Sequence, residues 1–273
     1  MSGNEQPEHI PNALWAMLAG AEWQAVTVGM SGAQVWRITA PARQPRYLKW
    51  ATGARARELG EERGRLAWLR GRLVVPAVEG WAEDGGAWLL LSAVEGVMAH
   101  EWAAQTRNRD EVAALVRALG EGLRRIHALN IADCPFDLRQ DARLARAEWN
   151  IAAGLVDVAD AQAGNGVEPR ESLRRLETTR PAEPAGDLVF AHGDYCLPNL
   201  LIRPDADGVP RVASYVDWGR AGISDRYDDL AIGARSLRYN LGPGWESLFF
   251  TAYGLSEPDG ERLAWYEALD ELS

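Results

Sequence analysis

The hydrophobic pattern of the sequence changes its period near residues 93–95, and this change constrains the fold more than any other feature. Before it, short segments alternate apolar and polar residues and are rich in β-branched and aromatic side chains, as is typical of β-strands. These segments are residues 22–28, 33–40, 46–51, 77–83 and 87–93, with one helical pattern at 58–73. After it, apolar residues recur at helical spacing. The sequence therefore predicts an α+β fold with a strand-rich lobe, 1–94, and a helix-rich lobe, 95–273.

The second part carries one strongly periodic helix and several weaker ones. In "NRDEVAALVRALGEGLRRIHAL" the apolar residues share one face, and Asn108 with Glu111 resembles a capping box. Further helices are predicted at residues 139–155, 168–178, 226–237, 243–253 and 258–269. Two strands, "LVFAH" and "VASYVDW", interrupt this helical part. The stretch "DAQAGNGVEP" is predicted to be a surface loop.

Bulk properties exclude several classes of protein. A formal net charge of −10 argues against binding to nucleic acid or to an anionic membrane. No stretch approaches the roughly 18 apolar residues of a membrane-spanning helix, and the N-terminal residues do not resemble a secretory signal. Cys134 and Cys196 are far apart in sequence and form no metal-binding spacing, which favours a reduced, cytoplasmic location.

The segment "FAHGDYCLPNLLI" holds the first candidate site. Asp194 follows a predicted strand, Asn199 comes five residues later, and Asp217 ends the next predicted strand. Carboxylate and amide oxygens are hard ligands that suit Mg²⁺, so Asn199 and Asp217 could hold this ion. Asp194 would then orient a hydroxyl group and accept its proton. The alternative is an ordinary hydrogen-bonded loop, with His192 as a structural residue.

Two features of the first part add to this site. Gly29, Ser31 and Gly32 lie between two predicted strands, where small residues let backbone N–H groups approach phosphate oxygens. Lys49 lies within the next strand, and Glu62 on the following helix could pair with it and direct its ammonium toward a phosphate. Each has a simpler explanation, namely a plain hairpin loop and solvent-facing charged residues.

The order of these features is more specific than any one of them. A Gly-rich hairpin, a strand Lys, a helix Glu, Asp-x4-Asn and Asp-x-Gly follow one another as in protein kinases. With "GMSGAQVWR", "YLKW", "DCPFD", "AHGDYCLPN", "VDWGRAGISDRYDDLA" and "LDEL", the chain resembles the aminoglycoside phosphotransferases over nearly its whole length, and most closely the 3′-phosphotransferases. This resemblance implies a protein-kinase-like fold with a small antiparallel-sheet lobe and a larger helical lobe.

The resemblance also implies roles for individual residues. Asp194 would be the catalytic carboxylate, Asn199 and Asp217 the Mg²⁺ ligands, and Lys49 the contact to the phosphates of ATP. The other implied nucleotide-binding residues are Ser31, Tyr47, Glu62, Ser92, Ala93 and Val94. The implied aminoglycoside-binding residues are Asp194, Arg220, Arg235, Asp270 and Glu271. The implied activity is ATP-dependent 3′-O-phosphorylation of antibiotics such as kanamycin, which confers resistance, by an enzyme expected to be a monomer.

The sequence departs from the family at several positions and leaves other activities open. Relatives often carry acidic residues where this chain has Ser236, Tyr239 and Asn240, which puts the range of aminoglycosides in doubt. Transfer to the 3″-hydroxyl or to another small alcohol is one alternative. A pseudokinase that binds nucleotide without catalysis is another. A metallohydrolase built on His192, Asp194 and Asp217 would leave Lys49 and the Gly-rich hairpin unexplained.

Overall fold

The structure is a computed structural model, and it describes residues 6–7, 9–26, 33–156 and 167–272. The chain separates into two compact units, Met1–Gly96 with Ala213–Gly219 and Val97–Val212 with Arg220–Ser273. The sequence analysis placed the boundary after Val94 and assigned the whole later chain to the second lobe. In the structure the segment Ala213–Gly219, which contains Asp217, belongs to the first unit.

The first unit is built on a five-stranded antiparallel sheet with the order β1-β2-β3-β5-β4. Its strands are β1 (Glu22–Val26), β2 (Gln34–Thr39), β3 (Arg46–Ala51), β4 (Val78–Glu83) and β5 (Ala87–Ser92). Two helices accompany the sheet, α1 (Asn12–Leu18) and α2 (Gly53–Leu69). The predicted strands agree with these to within one or two residues, except that the end of the first lies outside the described residues.

One side of this sheet packs into a hydrophobic core. Leu48 and Leu90 form a directly opposed pair on β3 and β5, and Trp36 and Ile38 of β2 are buried beside them. Helix α1 closes this core through Leu14 and Leu18. Alternate residues of β3 therefore point away from the core, and Tyr47 and Lys49 lie together on that other face.

Helix α2 begins and ends earlier than its periodicity predicted. Thr52, with an extended backbone, precedes its first turn, and Arg70 is again extended at its end. Gly71 follows with a φ of +79°, which no helix can continue through. Helix α1 was not predicted, because its seven residues are too few to establish a period.

The second unit is mainly helical. Its helices are α3 (Ala99–Gln105), α4 (Arg109–His127), α5 (Gln140–Ala152), α6 (Pro169–Thr178), α7 (Arg226–Leu241), α8 (Glu246–Tyr253) and α9 (Gly260–Asp270). The strands later in the chain are β6 (Val97–Met98), β7 (Leu188–Ala191), β8 (Leu200–Pro204), β9 (Pro210–Tyr215), whose last residues belong to the first unit, and β10 (Gly222–Asp225). β7 pairs with β10, and β8 lies between β6 and β9. The predicted N-cap of α4 is present, since Asn108 accepts hydrogen bonds from the backbone of Asp110 and Glu111.

Helices α4 and α7 pack against the strand β7, and α8 packs against these two helices. Gly120 and Gly122 on α4 allow close approach, because a Cβ on Gly120 would lie 2.5 Å from the carbonyl oxygen of Phe249 on α8. Tyr195 is fully buried and donates to the carbonyl of Leu119. This packing fixes the loop between β7 and β8.

In the described part of the chain, no helix is both long enough and apolar enough to cross a membrane.

Candidate active site

Lys49 and Glu62 form a closely held ion pair in the first unit. The Lys49 ammonium donates to both Glu62 carboxylate oxygens, at 2.8 and 2.9 Å. The strand β3 supplies the lysine and the helix α2 supplies the glutamate, so the pair links the two elements. The Glu62 side chain is only 3% exposed and that of Lys49 14%, so water screens the pair weakly.

Asp217 is the third member of this cluster. Its Oδ1 lies 3.3 Å from the Lys49 ammonium, and its side chain is 36% exposed. The backbone of Asp217 has a φ of +63°, in the left-handed region that Asp tolerates better than most residues. The structure thus brings together three residues that the sequence analysis assigned to nucleotide or Mg²⁺ binding.

The segment that carries Asp217 is held from two sides. The Arg65 side chain, on α2, donates to the carbonyl of Gly219 at 2.9 Å. Trp218 is fully buried, and its indole N–H donates to the carbonyl of Tyr215 at 3.3 Å. The sequence analysis gave Arg65 no role, because a charged residue in "EERGRL" looks solvent-exposed. In the structure it is buried and fixes the turn after Asp217.

Electrostatics keep the lysine protonated. Burial of Lys49 disfavours the ammonium, but the carboxylates of Asp217 and Glu62 outweigh this effect and raise its pKa above the ordinary value. Burial raises the pKa of Glu62, while the Lys49 ammonium and the backbone N–H of Trp218 act against this rise. The cluster therefore presents a fixed positive charge beside a partly exposed carboxylate.

The other predicted nucleotide-binding residues lie along the same sheet. Tyr47 shares the outer face of β3 with Lys49 and is half-buried. At the end of β5, the backbone N–H of Ser92 donates to Ala77 and that of Ala93 to Pro45, both at 2.9 Å. Of the three predicted hinge residues, Ser92 and Ala93 thus already use their donors within the unit. Ser31 and its neighbouring glycines lie outside the described residues.

In the second unit, Asp194 and Asn199 face each other across the loop between β7 and β8. The Asn199 amide donates to the Asp194 carboxylate at 2.8 Å and to its backbone carbonyl at 3.0 Å. Asn199 is buried in a short 3₁₀ turn, whereas Asp194 is half-buried. One amide thus fixes the orientation of the carboxylate that was predicted to accept the substrate proton.

A buried carboxylate that the sequence analysis did not single out holds this loop. Asp229, on α7, accepts from the backbone N–H groups of His192 at 2.7 Å and Gly193 at 2.9 Å. The His127 ring lies 3.0 Å from the same carboxylate and 2.9 Å from the Tyr253 hydroxyl. Asp229 therefore positions the backbone immediately before Asp194.

Asp229 remains ionised in spite of its burial. Burial alone would raise its pKa, but hydrogen bonding to His127, the His127 and His192 rings and the bound backbone N–H groups lower it below the ordinary value. The adjacent acids in "RYDDLA" were the only signal in the sequence. Two carboxylates in one turn of an apolar helix need buried partners.

The predicted substrate residues form a charged cluster at the end of α9. Asp270 is buried and forms an ion pair with Arg235, while Arg220 lies 3.6 Å from its Oδ1. A third arginine, Arg143 on α5, lies 3.8 Å from the same oxygen. Of the four predicted residues beyond Asp194, Arg220 and Arg235 therefore both contact Asp270, and Glu271 follows directly as a half-buried residue.

The chemistry of the predicted Mg²⁺ ligands fits a hard cation. The Asp217 carboxylate is partly exposed and has one oxygen near Lys49. The Asn199 amide uses its N–H₂ group on Asp194, which leaves its carbonyl oxygen as the metal-binding atom. Within the described residues, no three His, Cys, Asp or Glu side chains converge as a metal-binding group.

Comparison with known proteins identifies similar sequences and folds. Residues 22–266 match the model of the phosphotransferase enzyme family. An aminoglycoside 3′-phosphotransferase of Streptomyces fradiae is 41% identical over 264 residues, which cover 92% of this chain and 95% of that protein.

Two solved structures show how far the similarity extends to the fold. The crystal structure of an aminoglycoside-3′-phosphotransferase of type VIII matches with a TM-score of 0.82 and 33% identity, over 96% of this chain and 97% of that one. The aminoglycoside phosphotransferase APH(3″)-Id of Streptomyces rimosus, in complex with ADP and streptomycin, matches with a TM-score of 0.78 and 30% identity, over 95% of each chain. The predicted protein-kinase-like α+β fold agrees with this similarity.

Proposed function

Because the chain belongs to the phosphotransferase enzyme family, we propose that it transfers the γ-phosphoryl group of ATP to the 3′-hydroxyl of an aminoglycoside and so confers resistance to it. The observation that carries the proposal is the Lys49–Glu62–Asp217 cluster, which holds a positive charge next to a partly exposed carboxylate. Such a pairing suits a phosphate group and its divalent cation. The 41% identity to an aminoglycoside 3′-phosphotransferase supports the choice of acceptor.

In the proposed reaction, Asp194 accepts the proton of the 3′-hydroxyl. The oxygen then bonds to the γ-phosphorus of ATP, the bond from that phosphorus to the bridging oxygen breaks, and ADP leaves. Asn199 fixes the Asp194 carboxylate through its hydrogen bond at 2.8 Å. Since phosphoryl transfer depends mainly on positioning and electrostatics, an ordinary ionised aspartate suffices for this step.

The remaining residues would bind the substrates. Lys49 would neutralise charge on the phosphates, and Tyr47 would stack on the adenine. The Asn199 carbonyl and the Asp217 carboxylate would each supply an oxygen ligand to Mg²⁺. When bound, Mg²⁺ neutralises developing charge on the phosphate oxygens. Ser31, Ser92, Ala93 and Val94 stay proposed contacts of the nucleotide.

The proposed acceptor is polycationic, and carboxylates near its ammonium groups suit its binding. Asp270 and Glu271 would supply these charges, with Arg220 and Arg235 beside them. We propose further that the enzyme acts in the cytoplasm and is a monomer. Gel filtration with light scattering would test the monomeric state.

The deciding experiment measures ATP-dependent mass gain on a panel of aminoglycosides. We expect kanamycin to gain one phosphate and kanamycin-type compounds that lack the 3′-hydroxyl to gain none. Asp194→Asn is the matched control, since it keeps the shape of the side chain and removes its basicity. The proposal fails if the 3′-deoxy compounds are modified at the same rate as kanamycin.

A second candidate is transfer to a 3″-hydroxyl. Its support is the similarity to the Streptomyces rimosus protein that was solved with ADP and streptomycin. Streptomycin in the same panel, with the product position assigned by NMR, separates the two candidates. A protein that binds ATP and turns over no amino sugar would instead be the pseudokinase.

A further inference from the structure

The cluster around Asp270 extends inward to a second carboxylate that the proposed function does not use. Asp228, on α7, is fully buried, and its Oδ1 accepts from the Arg143 guanidinium at 3.1 Å. Ser224 donates to the other Asp228 oxygen at 3.1 Å. Arg143, itself almost fully buried, thus lies between Asp228 and Asp270 and has no other carboxylate among its ion pairs within the described residues.

The charges of this cluster do not balance. Three arginines, Arg143, Arg220 and Arg235, surround two carboxylates, Asp228 and Asp270. With both carboxylates ionised the cluster carries one positive charge, and with Asp228 protonated it carries two. Water screens this difference weakly, because Asp228 and Arg143 are buried.

We propose that Asp228 is a positioning residue for a cationic substrate: through Arg143 it sets how much negative charge Asp270 contributes at the end of α9. When Asp228 is ionised, it shares the Arg143 guanidinium and leaves Asp270 less neutralised. When Asp228 is neutral, Arg143 acts on Asp270 alone, and the site repels ammonium groups. This inference rests on the proposed aminoglycoside acceptor and adds a residue that cannot touch it.

The surroundings of Asp228 make its charge sensitive to pH. The titratable and charged groups that face it are Arg143 from α5, Asp270 and Tyr266 from α9, and the neighbouring Asp229. Burial is the largest effect and raises the pKa of Asp228 to about 7, although Arg143 opposes the rise. The charge state of the cluster therefore changes close to neutral pH.

The test compares Asp228→Asn with the wild-type enzyme at pH 8 and pH 6, by calorimetric binding of kanamycin and by steady-state kinetics. At pH 8 we expect Asp228→Asn to raise the dissociation constant and KM for kanamycin roughly 3- to 10-fold, with the KM for ATP unchanged. At pH 6 the difference should nearly vanish, because wild-type Asp228 is then protonated. Asp225→Asn is the matched control, since Asp225 is also buried at the start of α7 but pairs with Arg262.

A double variant separates charge from structure and remains informative if Asp228→Asn does not fold. Arg143→Met with Asp228→Asn removes one charge of each sign, so kanamycin affinity at pH 8 should return to within about twofold of wild type. At pH 6 the double variant should bind more tightly than wild type. Equal affinity of Asp228→Asn and wild type at pH 8, or a double variant as weak as the single one, would overturn the inference.

The outcome also separates this inference from the proposed function. If the wild-type protein binds kanamycin without phosphorylating it, the proposed function fails and the binding constants still decide the role of Asp228. Normal turnover with no pH-dependent difference between the variants overturns the role of Asp228 alone. A wild-type protein that neither binds nor phosphorylates any aminoglycoside overturns both.

Discussion

Lys49 and Asp217 are separated by 168 positions in the chain, yet their charged groups lie 3.3 Å apart. The first belongs to a strand of the N-terminal sheet and the second to a short segment that returns to the same unit. Their meeting needs both the left-handed backbone at Asp217 and the support of Arg65 behind Gly219. This relationship makes the role of Asp217 testable without disturbing the fold.

We expect Asp217→Asn to abolish most activity while the protein stays folded. Asparagine tolerates a φ of +63° nearly as well as aspartate, and Lys49 keeps its pair with Glu62. The loss of one charged ligand should lower kcat about 100-fold or more. Steady-state kinetics and thermal unfolding measured together check both parts. An active variant, or one that unfolds at room temperature, would contradict the assignment.

We expect Lys49→Met to lower the stability of the first unit while its fold stays the same. It leaves the Glu62 carboxylate, 3% exposed, without its cation, which costs about 3–5 kcal/mol of unfolding free energy. Adding Glu62→Gln to Lys49→Met removes the unpaired charge and should restore much of that stability but none of the activity. Urea denaturation and ATP turnover measure the two effects separately. If the double variant is no more stable than Lys49→Met, the pair is not what stabilises this region.

Asp229→Asn should loosen the loop that carries Asp194. The carboxylate accepts hydrogen bonds from the backbone of His192 and Gly193 and from the His127 ring, and a single amide oxygen cannot accept them all. We therefore expect the free energy of unfolding to fall by about 2–4 kcal/mol at pH 7. The pKa of Asp229 lies below its unfolded value, so its stabilisation is present above the ordinary aspartate range and disappears as pH falls through the folded pKa.

The pH dependence supplies the control for Asp229. The difference in unfolding free energy between wild type and Asp229→Asn should shrink as the pH falls below about 4. Chemical denaturation at several pH values measures it. A difference that is unchanged at pH 3 would mean that the ionised carboxylate is not the source of the effect.

The sequence predicted the elements whose pattern is local and periodic. The strands β2, β3 and β5 and the helix α4 alternate or repeat strongly, and the structure has them close to their predicted bounds. The short helices α1 and α3 and the four-residue strand β10 were missed, because so few residues cannot establish a period. The start of α8 was placed too early, since Gly242 and Gly244 have positive φ and delay it to Glu246.

The residues of the candidate site that belong to a sequence motif could be predicted. The residues that join the site through long-range packing could not. Lys49, Glu62 and Asp217 were named from their order in the chain, and they meet in the structure. Arg65 and Asp229 act through partners far away in sequence, so no motif assigned them a role, although the adjacent acids of "RYDDLA" indicated buried partners for Asp229. Asp270 was expected to meet substrate ammonium groups, and its burial among arginines became visible only with the fold.

The turn before Asp194 offers the sharpest steric test of the site. Gly193 has a φ of +76°, and a Cβ added there would lie 2.3 Å from the carbonyl oxygen of Arg220. Because that oxygen belongs to the backbone, the loop must move, and Asp194 moves with it. Gly193→Ala should therefore lower the free energy of unfolding by about 3 kcal/mol or more and reduce kcat strongly. Strain from the left-handed backbone alone accounts for about 1–2 kcal/mol of this, and the contact with the Arg220 carbonyl adds the rest.

Gly208→Ala is the control for this steric effect. Gly208 has nearly the same φ, +80°, but a Cβ there meets nothing within 4 Å. The Gly208→Ala variant should lose only about 1–2 kcal/mol of unfolding free energy, from backbone strain, and its kcat should be unchanged. Thermal unfolding and kinetics of the two alanine variants, side by side, isolate the contact with Arg220. If Gly193→Ala keeps full activity, the position of Asp194 does not depend on the close approach of these two backbone segments.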